Sequence, residues 1–172
     1  AFDEAIRHSI TKMAWWHFVA ANEYEKRVIQ LGEDPKRIFN VGGLGVDAIM
    51  QTNLLSKKEL MEKTGIEFSN KNLLVTYHPV TLEKQTSQKS FQALFDVLDD
   101  LKDIYLIFTM PNADSDNRII KNMINDFVKD HPEKSILFTS MGNLNYLSAL
   151  QFVDVVIGNS SSGLAETPSF KI

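Results

Sequence analysis

The sequence predicts an α/β protein built on a doubly wound parallel sheet, and two observations carry that prediction. Short strands alternate with helices along most of the 172 residues, as a parallel sheet with helical crossovers requires. The strands are also solidly apolar, as in Tyr105-Leu106-Ile107-Phe108, and such runs suit strands covered by helices on both faces.

From Phe2 to Trp16 the apolar residues Phe2, Ile6, Met13 and Trp16 recur at helical spacing, and Asp3 and Arg7 lie one turn apart on one face. This is the pattern of an amphipathic helix. His17 to Ala20 reads as a short buried strand, Glu23 to Leu31 as a helix ended by Gly32, and Arg37 to Val41 as a second strand. Gly42-Gly43-Leu44-Gly45 reads as a flexible joint, and the domain boundary is placed there, dividing 1–43 from 44–172. Its loose match to a dinucleotide fingerprint, Gly43 to Ala48, is rejected, because the next strand ends in His78 rather than in a ribose-binding acid and a helix intervenes. Beyond the joint a helix near Ser56 to Thr64 is capped by Ser56 and stopped by Gly65. Strand Asn72–Tyr77, helix Ser87–Leu101, strand Tyr105–Thr109 and helix Asp114–Lys129 follow, then strand Ser135–Thr139, helix Leu144–Phe152 and strand Val155–Gly158. Both ends read as cut: Ala1-Phe2 enters a helix with no initiator Met, and Phe170-Lys171-Ile172 stops where a further strand is due.

Composition narrows the function. The chain has no cysteine, which excludes disulfides, thiol catalysis and cysteine metal sites. Its formal net charge is −4 with no basic run longer than a dipeptide, so it lacks the electrostatic footprint of a nucleic-acid or membrane-surface protein. Apolar stretches such as Ile104 to Met110 fall short of the roughly 18 residues of a membrane span. A cytoplasmic protein is expected, one that meets phosphate through local geometry.

In an open parallel sheet ligands lie at the carboxyl ends of the strands. Four loops there carry polar groups: Thr76-Tyr77-His78-Pro79, Thr109-Met110-Pro111-Asn112, Ser140-Met141-Gly142-Asn143 and Gly158-Asn159-Ser160-Ser161-Ser162-Gly163. The last combines hydroxyls with a helix start, where free N–H groups and the helix dipole favour phosphate, or where the serines merely cap the helix. Glu166, read as one turn into that helix, is either an acceptor for ribose hydroxyls or a solvated acid. His78 either serves a diphosphate or is structural; Asn112 contacts ligand or its own turn; Tyr146 packs on a base or in the core. Asp3 and Glu4 precede Arg7-His8, a spacing open to acid–base chemistry or to an exposed, salt-bridged first turn.

Taken in order, four blocks resemble the hydrolysing UDP-N-acetylglucosamine 2-epimerases of sialic-acid and related nonulosonate pathways. They are Asp3 to Lys12 (DEAIRHSITK), Val75 to Thr81 (VTYHPVT), Pro111 to Asp114 (PNAD) and Gly158 to Glu166 (GNSSSGLAE). The resemblance implies a GT-B-like pair of Rossmann-type domains with the sugar nucleotide between them, this chain holding the end of the first and most of the second. It implies elimination of UDP by loss of the C2 proton and of the anomeric C–O bond, then hydration of the glycal to N-acetylmannosamine, with neither metal nor organic cofactor. Ser160 and Ser161 are then expected to hold the diphosphate, Glu166 the ribose and His78 the leaving phosphate. Asn112 and Tyr146 line the nucleotide pocket. Asp3 and Glu4 belong to the catalytic sugar half, and Arg7 to substrate binding. A homodimer or tetramer is implied. Non-hydrolysing relatives typically carry His-Arg and Ser-Gly-Gly where this chain has His78-Pro79 and Ser160-Ser161-Ser162. Related enzymes act on diacetamido-trideoxy sugars carried by UDP or GDP. A GT-B glycosyltransferase and a non-catalytic nucleotide-binding module are the competing readings.

Overall fold

The computed structural model describes residues 2–77, 84–110 and 118–172. The chain divides into two compact units, Ala1–Gln51 and Thr52–Ile172. The first contains helix α1 (Phe2–Met13), strand β1 (His17–Val19), helix α2 (Asn22–Gln30), a 3-10 turn (Pro35–Arg37), strand β2 (Ile38–Asn40) and helix α3 (Leu44–Gln51). Strands β1 and β2 pair in parallel, His17 opposite Ile38. Helix α1 stops at Met13, short of the expected Trp16. The two tryptophans instead pack beside β2, Trp16 with its ring centroid 5.7 Å from that of Phe39 and Trp15 beneath the Arg37 guanidinium at 4.2 Å.

Within the expected joint Gly42 to Gly45, the last two residues are helical rather than open. Leu44 and Gly45 open helix α3, whose first turn is closed by Val46 N donating to Gly43 O at 3.0 Å. Val46 and Ile49 are spaced three apart, and burial of Ile49 outweighs the helix-breaking signal of the glycines. The two compact units divide after this helix, at Gln51/Thr52.

The second unit begins with helix α4 (Lys57–Thr64), whose start is a capping box: Ser56 Oγ accepts from Glu59 N, and Glu59 Oε2 accepts from Ser56 N at 2.9 Å. Gly65 ends it in the left-handed region at φ 75. Strand β3 (Lys71–Thr76), helix α5 (Lys84–Asp100), strand β4 (Ile104–Thr109), helix α6 (Arg118–Asp130), strand β5 (Ser135–Phe138), helix α7 (Gly142–Leu150), strand β6 (Val155–Gly158) and a short helix α8 (Ser162–Ala165) follow. The sheet is wholly parallel in the order β5-β4-β3-β6.

Side chains alternate across the sheet. Leu73, Val75, Leu106 and Phe108 turn to a face packed by α5 and α6 through Phe91, Phe95, Leu98, Ile120, Ile124 and Phe127. The Phe95 and Phe127 rings stack at 4.7 Å, and Phe91 meets Phe95 edge-on at 4.9 Å. Leu74 and Ile107, at the alternate positions, are fully buried on the opposite side. Helices α4 and α7 pack together, tied by Leu55 N donating to Ser148 Oγ at 3.0 Å, and bury Leu60, Leu147 and Leu150. This is the doubly wound α/β architecture the sequence predicts. Among the described residues no helix is long and apolar enough to cross a membrane.

Candidate functional site

After β3, strands β4 and β5 extend the sheet in one direction, whereas β6 returns to the other side of β3. Connections leaving neighbouring strands on opposite sides open a crevice at their carboxyl ends, the usual ligand position in such sheets. A cavity of about 490 Å³ lies there, lined by Thr76, Thr109, Met110, residues 139–143, Tyr146, Ser160, Ser161, Ser162 and Glu166. Thr76 and Thr109, opposite one another on β3 and β4, share a hydrogen bond between hydroxyls 2.7 Å apart.

Gly158 shapes this end of the sheet. It pairs with Thr76 at φ +145, and a Cβ placed on it would come within 1.7 Å of the Thr76 carbonyl oxygen. Only glycine allows β6 to run this close to β3, and that approach carries the following serines to the cavity. Its position at the end of a strand is legible in the sequence; the close approach is not.

The helix that begins at Ser162 is four residues long, which corrects the expectation of a helix whose dipole favours phosphate. One turn sums too few peptide dipoles to act as a macrodipole. Ser160 Oγ accepts from Ser162 N at 3.3 Å, a local capping bond. Ser161 precedes the helix with no side-chain capping bond and is exposed, so its hydroxyl is available to a ligand.

Tyr146, half-buried on α7, donates its phenol proton to Ser162 Oγ at 2.6 Å. Burial pushes the phenol's pKa up, the bond to Ser162 opposes the rise, and the negative charge of Glu166 adds to it. The ring is therefore neutral at physiological pH. Glu166 sits at the carboxyl end of α8 rather than one turn into a longer helix, its N–H donating to Ser162 O at 3.0 Å. Its Oε2 is buried with no hydrogen-bond partner among the described residues. A buried carboxylate oxygen without a donor is costly, and a hydroxyl donor from a ligand would relieve it.

Asp3, Glu4 and Arg7 lie on α1 in the first unit, all exposed. Glu4 accepts from Arg7 Nη2 at 2.8 Å and meets His8 Nε2 at 2.8 Å. Arg7, then His8, lowers the Glu4 pKa to about 2, and the same pairing raises that of Arg7. The interaction is present at neutral pH and lost as pH falls through about 2, and at an exposed site it is screened by salt. This is the salt-bridged first turn weighed above. Behind it Lys12 Nζ donates to the buried Glu33 at 2.6 Å, with His17 Nε2 3.3 Å from the other carboxylate oxygen. Lys12, foremost, holds Glu33 below the usual carboxylate range. His78 and Asn112 lie outside the described residues. Of the residues singled out in the sequence, the structure therefore brings Tyr146, Ser160, Ser161 and Glu166 to one cavity, and joins to them Thr76, Thr109 and Ser162.

A family model described as UDP-N-acetylglucosamine 2-epimerase matches residues 1–172. The chain is 42% identical over 171 residues to the GDP/UDP-N,N′-diacetylbacillosamine 2-epimerase (hydrolyzing) of Campylobacter jejuni, covering 99% of this chain and 44% of that protein. It is 32% identical over 170 residues to the UDP-N,N′-diacetylbacillosamine 2-epimerase (hydrolyzing) of Legionella pneumophila, again with 99% and 44% covered. Among solved structures, the S. aureus MnaA–UDP co-structure superposes with a TM-score of 0.71 at 17% identity over 94% of this chain and 42% of that one, which shows the GT-B-like fold. The chain thus spans less than half the length of the curated relatives it matches. Matched throughout by the family model and 42% identical to a hydrolysing 2-epimerase, this chain belongs to the UDP-N-acetylglucosamine 2-epimerase family.

Proposed function

We propose that the full-length protein containing this chain is a hydrolysing 2-epimerase of a UDP-linked 2-acetamido sugar, and that the strand-end cavity of the second unit holds the nucleotide. The observation that carries the reading is the convergence at the β3/β6 crevice of hydroxyls with a buried carboxylate oxygen on Glu166 that has no partner among the described residues. Hydroxyls donate to a diphosphate without bulk, and the carboxylate accepts from the paired hydroxyls of a ribose. Tyr146 forms a wall against the nucleoside. His78 and Asn112 complete the pocket, His78 donating to the departing diphosphate, where added charge gives a donor its greatest effect.

The reaction balances as an elimination followed by a hydration. A base removes the C2 proton, its bonding pair becomes the C1–C2 double bond, and the anomeric C–O bond breaks with its electrons leaving on UDP. Water then adds across the glycal, placing hydroxyl on C1 and hydrogen on the opposite face of C2. Asp3 and Glu4 belong to the sugar half, each a candidate base. Glu4, held at about 2 by Arg7 and His8, is a weak one at neutral pH. The scheme asks for no metal or organic cofactor. The relatives' names favour the diacetamido-trideoxy sugar over N-acetylglucosamine. On the same family grounds residues 1–43 belong to the end of the first Rossmann-type domain and 44–172 to the second, in a cytoplasmic dimer or tetramer.

The site assignment is tested by UDP calorimetry on Ser160→Ala with Ser161→Ala. Loss of two hydroxyls facing a charged partner is expected to weaken UDP by about 1–3 kcal/mol with the fold intact. Unchanged affinity would remove the serines from the diphosphate site.

A further inference from the structure

Ser162 is the hub of the cavity's hydrogen bonds and is nearly buried, only 9% exposed. Its Oγ accepts from the Tyr146 phenol at 2.6 Å. Its N–H donates to Ser160 Oγ at 3.3 Å. Its carbonyl accepts from Glu166 N and from Thr167 Oγ1, both at 3.0 Å. One buried residue therefore ties the α7 aromatic to the serine loop and to Glu166. Of these bonds, only that to Tyr146 is made by the Ser162 side chain and would be lost on truncation. A half-buried phenol deprived of its acceptor must find another or turn outward.

We propose that Ser162 is a positioning residue for the nucleotide, acting through its hydroxyl to fix the Tyr146 ring as a wall of the cavity beside Glu166. The inference rests on the cavity being the nucleotide site. Ser162 itself need not touch the ligand. Its contribution is preorganisation: the ring is held before binding, so its ordering is not a cost of binding.

The test is a double-mutant cycle on the full-length protein, read by UDP calorimetry with thermal melts as the check on folding. Ser162→Ala removes the acceptor and Tyr146→Phe the donor. Each is expected to weaken UDP by about three- to tenfold, the range of one hydrogen bond. Because both break the same bond, the double variant should lose no more than either single variant. Ser162→Thr, which keeps the hydroxyl, should bind UDP within about twofold of wild type, since it retains that bond. Additive losses, or failure of Ser162→Thr to restore affinity while its melt matches wild type, would overturn the proposal. So would a lowered melting temperature with unchanged UDP affinity in Ser162→Ala, which would make the bond purely structural. In each of those cases wild-type UDP binding persists and the nucleotide site stands. If the wild-type protein binds no UDP, the site assignment and this inference fall together.

Discussion

Glu166 presents a carboxylate with one oxygen buried and unpartnered among the described residues, and the cost of leaving it so can be read from ligand selectivity. Glu166→Gln keeps the side chain's volume and one acceptor but replaces the other oxygen with a donor, which cannot accept from a ribose hydroxyl. Affinity for UDP is expected to fall about tenfold, near 1.4 kcal/mol, since the lost bonds are to a charged group. Affinity for a 2′,3′-dideoxy analogue of UDP should fall much less. Equal losses in calorimetry with the two ligands would mean that Glu166 acts only on its own turn. Tyr146 and Ser162 show why residue-scale roles are only partly legible in a sequence. The aromatic position is visible, but its partner lies 16 residues away, and nothing in local spacing selects Ser162 rather than Ser160 or Ser161.

At the scale of the element, the approach of β6 to β3 organises the site. Gly158→Ala would place a methyl against the Thr76 carbonyl and force a conformation that alanine adopts only under strain, costing about 1–3 kcal/mol before any clash is counted. A lowered urea midpoint together with weakened UDP binding is expected, because strand pairing and serine loop move together. Gly163 supplies the control, since a Cβ there meets nothing within 4 Å, and alanine suits a helix better than glycine. A Gly158→Ala variant as stable as Gly163→Ala would refute the close-approach argument. The strands were legible because buried parallel strands are continuous apolar runs: β3 to β6 lie within one residue of the expected bounds. Helix α3 was not, because three glycines among four residues outweighed the three-residue spacing of Val46 and Ile49. The brevity of α8 is not legible either, since the helical spacing continues past Glu166 while Pro168 and the 3-10 turn Thr167–Phe170 redirect the chain there.

At the scale of the whole molecule, one topological rule, that the crevice lies outside the carboxyl ends of strands, points from the sequence to a candidate ligand position, and the order β5-β4-β3-β6 opens that crevice between β3 and β6. The proposed elimination asks for more than a nucleotide pocket. A proton must leave C2 while the diphosphate leaves C1, so groups on both sides of the sugar have to be held in register. The most direct measurement incubates the full-length protein with UDP-N-acetylglucosamine and, separately, with the UDP-linked diacetamido-trideoxy sugar, without any acceptor, and identifies the products by chromatography and NMR. Stoichiometric UDP together with a free sugar inverted at C2 is the expected result. A sugar epimerised but still joined to UDP, or UDP released only when an acceptor is supplied, would contradict it.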